Sequence, residues 1–135
     1  MTLTEPTLRL THHAVLKMLQ AAIAKAEEMG QPQCIVIVDA SGETLAQFRM
    51  SGAKYLSLKS ARTKARTAAS IGAPTTGIPE TVGLAIAAAT GGDVTRLPGG
   101  LPIHVDGVLV GGIGIGSGSG DQDIAVAEAA LAVLS

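Results

Sequence analysis

A two-residue turn near the C-terminus constrains the fold of this chain more than any other sequence feature. Asp106-Gly107 lies between the apolar runs 101–105 and 108–115, and an Asp-Gly pair accepts the positive φ angles of a type I′ turn. The sequence therefore predicts an antiparallel hairpin with a two-residue loop. Such a loop fixes the register, and the expected cross-strand pairs are Val105 with Val108, His104 with Leu109 and Ile103 with Val110.

Glycine alternates with apolar residues in the second strand of this hairpin. The register predicts that one sheet face carries Ile103, Val105, Val108 and Val110 followed by Gly112, Gly114 and Gly116, and that the other carries His104, Leu109, Gly111, Ile113 and Ile115. Three glycines in phase indicate close approach by a helix backbone or by a flat ligand. We interpret them as a helix-packing surface, with ligand contact as the alternative.

The glycine strand ends in a loop that precedes the last predicted helix. This loop contains Gly116, Ser117, Gly118 and Ser119, and N–H groups at the start of a helix attract anions or acceptor oxygens. An anion site is therefore predicted here. The run has no P-loop lysine, and a G-x-G-x-x-G interpretation requires a parallel βαβ unit, so the loop is not a nucleotide-binding motif.

Length and charge favour a single domain, residues 1–135, that binds neither nucleic acid nor a membrane. A chain of 135 residues without a compositional break provides one core. A net charge of −1, ten basic residues and only two stacking aromatics, Phe48 and Tyr55, argue against a nucleic-acid surface. Because the N-terminus lacks a signal-peptide pattern and the apolar runs are short, we expect a cytoplasmic protein.

The composition predicts self-association. Hydrophobic residues make up 47% of the chain but aromatic residues only 1%, so alanine and glycine provide much of the apolar surface. A small apolar chain of this kind often buries surface between subunits, and we expect a homo-oligomer of at least two chains. Cys34 is the only cysteine, which excludes an intrachain disulfide and predicts a buried thiol.

Periodicity and turn signals complete the predicted architecture. Helices are expected at about 11–29, 54–71, 79–89 and 122–134, the last capped by Asp121 or Ser119, and a first hairpin is expected from strands 34–38 and 44–49. Helices that alternate with antiparallel hairpins give an α+β fold, with the helices packed on the sheet. Asp39, at the end of the first strand, is predicted to bond to the turn backbone rather than to take part in catalysis.

Lys64 is the residue least easily explained as ordinary surface. It shares a helical stripe with the small residues Ser57, Ala61 and Ala68, and this stripe is the face that we expect to pack against the sheet. The Lys64 ammonium must therefore reach solvent, pair with a carboxylate such as Asp39, or meet a bound anion. These three alternatives stay open at the level of sequence.

Two adjacent histidines, His12 and His13, fall in the first turn of the first predicted helix. Neighbouring side chains on a helix point about 100° apart, so the two imidazoles are poorly placed to share one metal ion. We expect surface histidines and no metal site.

Seven segments of the chain occur in an order and spacing that resemble a known family. They are Met29-Gly30, 38–42 (Val-Asp-Ala-Ser-Gly), 48–53 (Phe-Arg-Met-Ser-Gly-Ala), 64–68 (Lys-Ala-Arg-Thr-Ala), 99–103 (Gly-Gly-Leu-Pro-Ile), 111–116 (Gly-Gly-Ile-Gly-Ile-Gly) and 121–123 (Asp-Gln-Asp). Together they resemble the GlcG/HbpS family, also called DUF336, which includes the C-terminal domain of PduO-type proteins. The chain departs from the family pattern at Ser51, where the family signature has an aspartate.

The resemblance implies a profilin-like α+β domain, in which helices flank an antiparallel sheet of about five strands. It also implies assembly into dimers or higher rings and binding of a small molecule, which is haem in some members. Apart from the N-terminal histidine pair, the side chains of this sequence that are suited to a haem iron are His104, Tyr55 and Met50.

The predicted function is therefore that of a small-molecule binding protein of the GlcG/HbpS type, for haem or another flat anionic ligand. The expected contacts come from Arg49, Lys64, His104 and the loop Gly116, Ser117, Gly118 and Ser119. The alternative is an enzyme that acts on a small carboxylate or carbonyl metabolite, with Lys64 and His104 as acid–base or cationic groups. A third possibility is a structural module whose task is assembly alone.

Overall fold

Four helices flank one four-stranded antiparallel sheet in the computed structural model, which describes residues 1–135. The helices are α1 (His12–Glu28), α2 (Ser57–Ile71), α3 (Glu80–Ala89) and α4 (Gly120–Leu131), and the strands are β1 (Cys34–Asp39), β2 (Thr44–Arg49), β3 (Gly100–Val105) and β4 (Val108–Gly116). The strand order is β2-β1-β4-β3. The α+β class is confirmed, but the sheet has four strands rather than about five, because residues 1–11 add no strand to the two hairpins.

The β3–β4 hairpin has the predicted turn and the first part of the predicted register. Asp106 and Gly107 form a two-residue loop with φ angles of 50° and 76°, as a type I′ turn requires. Val105 pairs with Val108 and His104 with Leu109, but Ile103 pairs with Gly111. The third predicted pair is therefore wrong, because a bulge at Val110 inserts one residue into β4.

The bulge decides which residues of β4 face each side of the sheet. Val110, Ile113 and Ile115 all join one core with Ile103, whereas the predicted pattern placed the two isoleucines on the opposite face. An extra residue moves every later side chain to the other face. The glycines at 112, 114 and 116 consequently share a face with Leu109 rather than with Val110.

A larger core lies between the sheet and the helices α1 and α4. It contains Met18, Ala22 and Ala26 of α1, Val126 and Ala130 of α4, and Ile35, Ile37, Ile113 and Ile115 of the central strands, all fully buried. Thr11 caps α1 by accepting the N–H of Ala14 at 3.3 Å. Ser119 rather than Asp121 caps α4, in a reciprocal capping box with Gln122.

Helix α2 packs on the other face, directly against the glycines of β4. A Cβ added at Gly114 would lie 1.9 Å from the carbonyl oxygen of Ala61, and one at Gly112 would lie 2.2 Å from that of Ala65. Only glycine permits this approach, so the interpretation of the alternating glycines as a helix-packing surface is confirmed. The close contact also buries the sheet-facing stripe of α2, including Ala61, Lys64 and Ala68.

The turn between β1 and β2 is held by the Asp39 side chain. Its Oδ1 accepts the N–H groups of Ser41 at 2.8 Å and Glu43 at 3.1 Å. The predicted structural role of Asp39 is confirmed. None of the helices is long and apolar enough to cross a membrane.

Candidate functional site

Lys64 forms a buried ion pair with Asp123. The Lys64 side chain leaves the sheet-facing side of α2, and its Nζ donates to Asp123 Oδ2 at 3.0 Å and to the carbonyl oxygen of Ile115 at 2.7 Å. Lys64 is 5% exposed and Asp123 is 3% exposed. Of the three sequence alternatives for Lys64, the structure shows the carboxylate pair, with Asp123 as the partner in place of Asp39.

The loop after β4 uses most of its polar groups internally. Asp123 Oδ1 accepts the N–H of Gly118 at 3.1 Å, and Gln122 accepts the N–H of Ser119 at 2.9 Å. Ser117, with a φ of 95°, accepts the N–H of Lys54 on its hydroxyl at 2.8 Å. The expectation that this loop carries free N–H groups is therefore wrong for Gly118 and Ser119, because side chains of the first turn of α4 fold back onto them.

Strand pairing brings Arg49 to the same end of the sheet as this loop. Arg49 pairs with Cys34, which in turn pairs with Gly116, and directly opposed residues share one sheet face. Gly116 itself is buried against α2. Arg49, Lys64 and the loop 116–119 therefore lie at one end of the sheet.

His104 lies at the other end. It pairs with Leu109 beside the Asp106-Gly107 turn, and seven residues of extended strand separate Leu109 from Gly116, roughly 20 Å. His104 is exposed on the edge strand β3. Within one chain, Lys64 and His104 therefore do not share a site, and the acid–base arrangement of the alternative enzyme hypothesis does not form.

The other two predicted haem ligands, Met50 and Tyr55, lie in different environments. The Met50 sulfur accepts the backbone N–H of Gln33 at 3.4 Å, and this side chain packs against the larger core. Tyr55 is 70% exposed, just before α2. Neither side chain lines any of the larger cavities described below.

A polar cavity of about 290 Å³ opens over the Lys64–Asp123 pair, and we call it the Lys64 cavity. Its other polar walls come from Lys54, Ser57 and Ser60 around the start of α2 and from Ser117, Gly118 and Gly120 after β4. Its apolar side chains are those of Leu97 and Pro98. The cavity therefore contains Lys64 and part of the predicted loop, but neither Arg49 nor His104.

A larger and more apolar groove lies at the opposite end of β1, and we call it the N-terminal groove. It has a volume of about 660 Å³, and the segment 7–12 forms one wall. The turn that contains Asp39, together with Leu45 and Val110, forms the other. Arg9 and His12 are among the residues that line this groove, and the ring centroid of His13 lies 4.1 Å from that of His12.

Cys34 lies near the charges of Arg49 and Asp123. Burial raises the pKa of the Cys34 thiol above its ordinary value of 9.0, the Arg49 guanidinium lowers it, and the Asp123 carboxylate raises it again. The thiol donates to the carbonyl oxygen of Lys54 at 3.4 Å. A buried, protonated thiol is a structural group rather than a nucleophile, as predicted.

Sequence reasoning did not identify three residues at these sites. Asp123 was a family-pattern residue without an assigned role, although an acidic residue in the first turn of a helix is a recognisable signal. His12 was expected on the surface, and Arg9 was assigned no role. Arg9 and His12 join a site because residues 7–12 lie across the groove from the β1–β2 turn. No local sequence pattern predicts that arrangement.

One protein-family model matches nearly the whole chain. The family model described as "Haem degrading protein HbpS-like" matches residues 10–132. This chain belongs to the HbpS-like family. The membership predicted from the sequence segments is therefore confirmed.

Two solved structures illustrate the likeness. The PduOC:heme complex is 30% identical and superposes with a TM-score of 0.89, covering 95% of this chain and 96% of that one. A double mutant of Streptomyces reticuli HbpS is 35% identical with a TM-score of 0.87, covering 98% and 91%.

A curated relative is longer than this chain. The corrinoid adenosyltransferase PduO of Citrobacter freundii is 34% identical over 136 residues, which cover 97% of this chain but 41% of PduO. The chain thus spans about two fifths of that relative's length. The likeness shows the family of this domain and does not carry over the activity of the whole relative.

Proposed function

We propose that this chain is a small-molecule binding protein that takes haem in the N-terminal groove. One observation carries the proposal: the groove places an imidazole, His12, and a guanidinium, Arg9, beside aliphatic side chains. Histidine is a common axial ligand of haem iron, and arginine is suited to pairing with carboxylates such as the propionates. The heme complex of the relative PduOC supports this choice of ligand.

The residues of the groove fit such a group. Its volume of about 660 Å³ falls within the usual range of small-molecule sites. Leu8 and Leu45, on its walls, are 42% and 41% exposed, so a flat apolar ligand would cover surface that the chain otherwise leaves to water. When bound, haem supplies a redox-active iron and its visible absorption.

This proposal moves the haem site away from the residues predicted for it. His104 is at the hairpin turn, and Lys64 is occupied by Asp123. The Lys64 cavity, at about 290 Å³ and with Leu97 and Pro98 as its only apolar side chains, is too small and too polar for a porphyrin. In the N-terminal groove, His12 would hold the iron and Arg9 would orient the ligand by its carboxylates.

Haem titration followed by the Soret band tests the proposal. We expect saturation at one haem per chain, loss of the bound-state spectrum in His12→Ala, and an affinity about two- to fivefold weaker in Arg9→Ala, the size of an exposed charge pair. His104→Ala is the matched control and should titrate like the unmodified chain. Unchanged spectra at excess haem, or a His12→Ala variant that still gives the unmodified spectrum, would contradict the assignment.

We also infer that the chain acts as a homo-oligomer in which α3 packs against a second copy. Along this helix only Gly83 is buried, while Leu84 is 90% exposed and Val82 is 43% exposed. A helix that is apolar all round is normally buried. Glu80 is the only charged residue of α3, so two copies can meet here without like-charge repulsion. The cytoplasmic location stays a prediction.

A further inference from the structure

We propose that the Lys64 cavity is a second binding site, for a small monoanion that carries a carboxylate. It is distinct from the N-terminal groove because the two lie at opposite ends of β1: the groove includes Asp39, and the cavity adjoins the loop after Gly116, which pairs with Cys34. The proposal therefore does not depend on haem binding.

The charges around the cavity select the charge of the ligand. Lys54, Lys64 and Asp123 are the ionisable residues that line it. Asp123 is committed to Lys64, which leaves one positive charge, on an exposed lysine at the rim. A monoanion balances this charge, whereas a dianion would bring an uncompensated negative charge next to the buried Asp123 carboxylate.

The hydrogen-bonding groups of the cavity are mainly donors. An ammonium has three N–H groups, and two of those on Lys64 are taken by Ile115 and Asp123. Ser117 accepts on its hydroxyl oxygen from Lys54, so its O–H remains able to donate. Gly120 begins α4, and its N–H has no acceptor within the helix. An acceptor-rich group such as a carboxylate matches this set of donors.

Gln33 provides an independent indication from behind the cavity wall. Its side chain is fully buried, and neither its nitrogen nor its oxygen forms a hydrogen bond with another protein atom. It lies against Gly118, where an added Cβ would be 2.7 Å from the amide nitrogen and 2.9 Å from Asp123 Oδ1. Unpaired buried amides are rare in native proteins, so the wall formed by Gly118 is the part of the cavity that we expect to adjust when a ligand binds.

The volume limits the size of the ligand. At about 290 Å³ the cavity is at the lower end of the range for small-molecule sites. It therefore accommodates an organic acid of a few carbon atoms, whose hydroxyl or carbonyl group could face Ser57 and Ser117.

Titration with sodium lactate, followed by ¹H–¹⁵N NMR at constant ionic strength, tests the proposal. We expect saturable shifts of the Gly118 and Gly120 amides and of the Gln33 side-chain amide, with smaller effects from phosphate and none from chloride. Lys54→Met should weaken binding about two- to fivefold, as expected for an exposed charge. Saturation by phosphate but not by lactate would overturn the carboxylate assignment.

A variant that fills the cavity avoids disturbing the buried ion pair. Ser57→Leu places a larger side chain at the cavity wall and should abolish the saturable shifts while the protein stays folded. Ser70→Leu, an exposed site at the far end of the same helix, is the matched control and should bind lactate normally. The site does not exist if lactate produces no saturable shift in the unmodified chain, or if Ser57→Leu leaves the shifts unchanged. Haem binding should be the same in all three proteins, so failure here does not affect the haem proposal.

Discussion

Replacing Lys64 by methionine is the sharpest test of the central ion pair. The substitution keeps the length of the side chain but removes the ammonium, and Asp123 then remains 3% exposed with the Gly118 N–H as its one other hydrogen-bond partner. Breaking a buried pair by removing one partner costs about 3–5 kcal/mol, because an uncompensated charge stays buried. For a chain of this size each kcal/mol corresponds to roughly 3–5 °C, so we expect Tm to fall by about 10–20 °C.

Two further variants separate the charge effect from loss of packing. Lys64→Met combined with Asp123→Leu removes both charges and should recover most of the lost stability, since apolar replacement of a buried pair is often neutral. Lys59→Met, on the exposed side of α2, should change stability by less than about 0.5 kcal/mol. Melting is compared by circular dichroism at one protein concentration, because assembly also affects Tm. The reasoning is refuted if Lys64→Met has the same Tm as Lys59→Met, or if the double variant is no more stable than Lys64→Met. Either result would mean that an uncompensated Asp123 charge does not cause the loss of stability.

Three other predictions follow from single features. Gly114→Ala should destabilise the fold by about 3 kcal/mol or more in urea unfolding, since its Cβ would lie 1.9 Å from the Ala61 carbonyl oxygen. The control Gly107→Ala has no neighbour within 4 Å, so it should cost only about 1–2 kcal/mol for its left-handed φ. Because burial raises the pKa of Cys34 above 9.0, the unfolded thiol ionises first, so stability should fall as pH rises above about 9, and Cys34→Ala should remove that part of the decline. Leu84→Glu should lower the assembly mass in light scattering, and a monomeric unmodified chain would contradict the role given to α3.

Much of the fold could be predicted from short-range patterns. The Asp106-Gly107 turn fixes the local register, and the start of α4 follows from a Ser-x-x-Gln capping box at Ser119. These features depend on neighbours within a few residues, where turn and capping chemistry are specific. The alternating glycines of β4 likewise predicted the close approach of a helix.

The errors came from interactions that local patterns do not contain. A single bulge at Val110 reversed the facing of every later residue in β4, although the Gly111-Gly112 pair was a possible signal, since glycine within a strand often marks a bulge. Asp123 is 59 positions from Lys64, and their pairing depends on how α2 and α4 pack on opposite faces of the sheet at the end of β4. The position of residues 7–12 opposite the β1–β2 turn likewise depends on tertiary structure.

The same packing that holds α2 on the sheet determines the chemistry of the Lys64 cavity. The glycines of β4 let the α2 backbone approach the strand, and the Nζ of Lys64, on the buried side of α2, reaches the carbonyl oxygen of Ile115 near the end of β4. Its charge then requires a carboxylate, which the first turn of α4 supplies through Asp123. The Asp123 carboxylate also accepts the N–H of Gly118. One side chain therefore positions both Lys64 and the Gly118 wall of the cavity. A substitution that moved α2 away from β4, such as Gly114→Ala, should therefore disturb lactate binding at the cavity more than haem binding at the N-terminal groove, which α2 does not line.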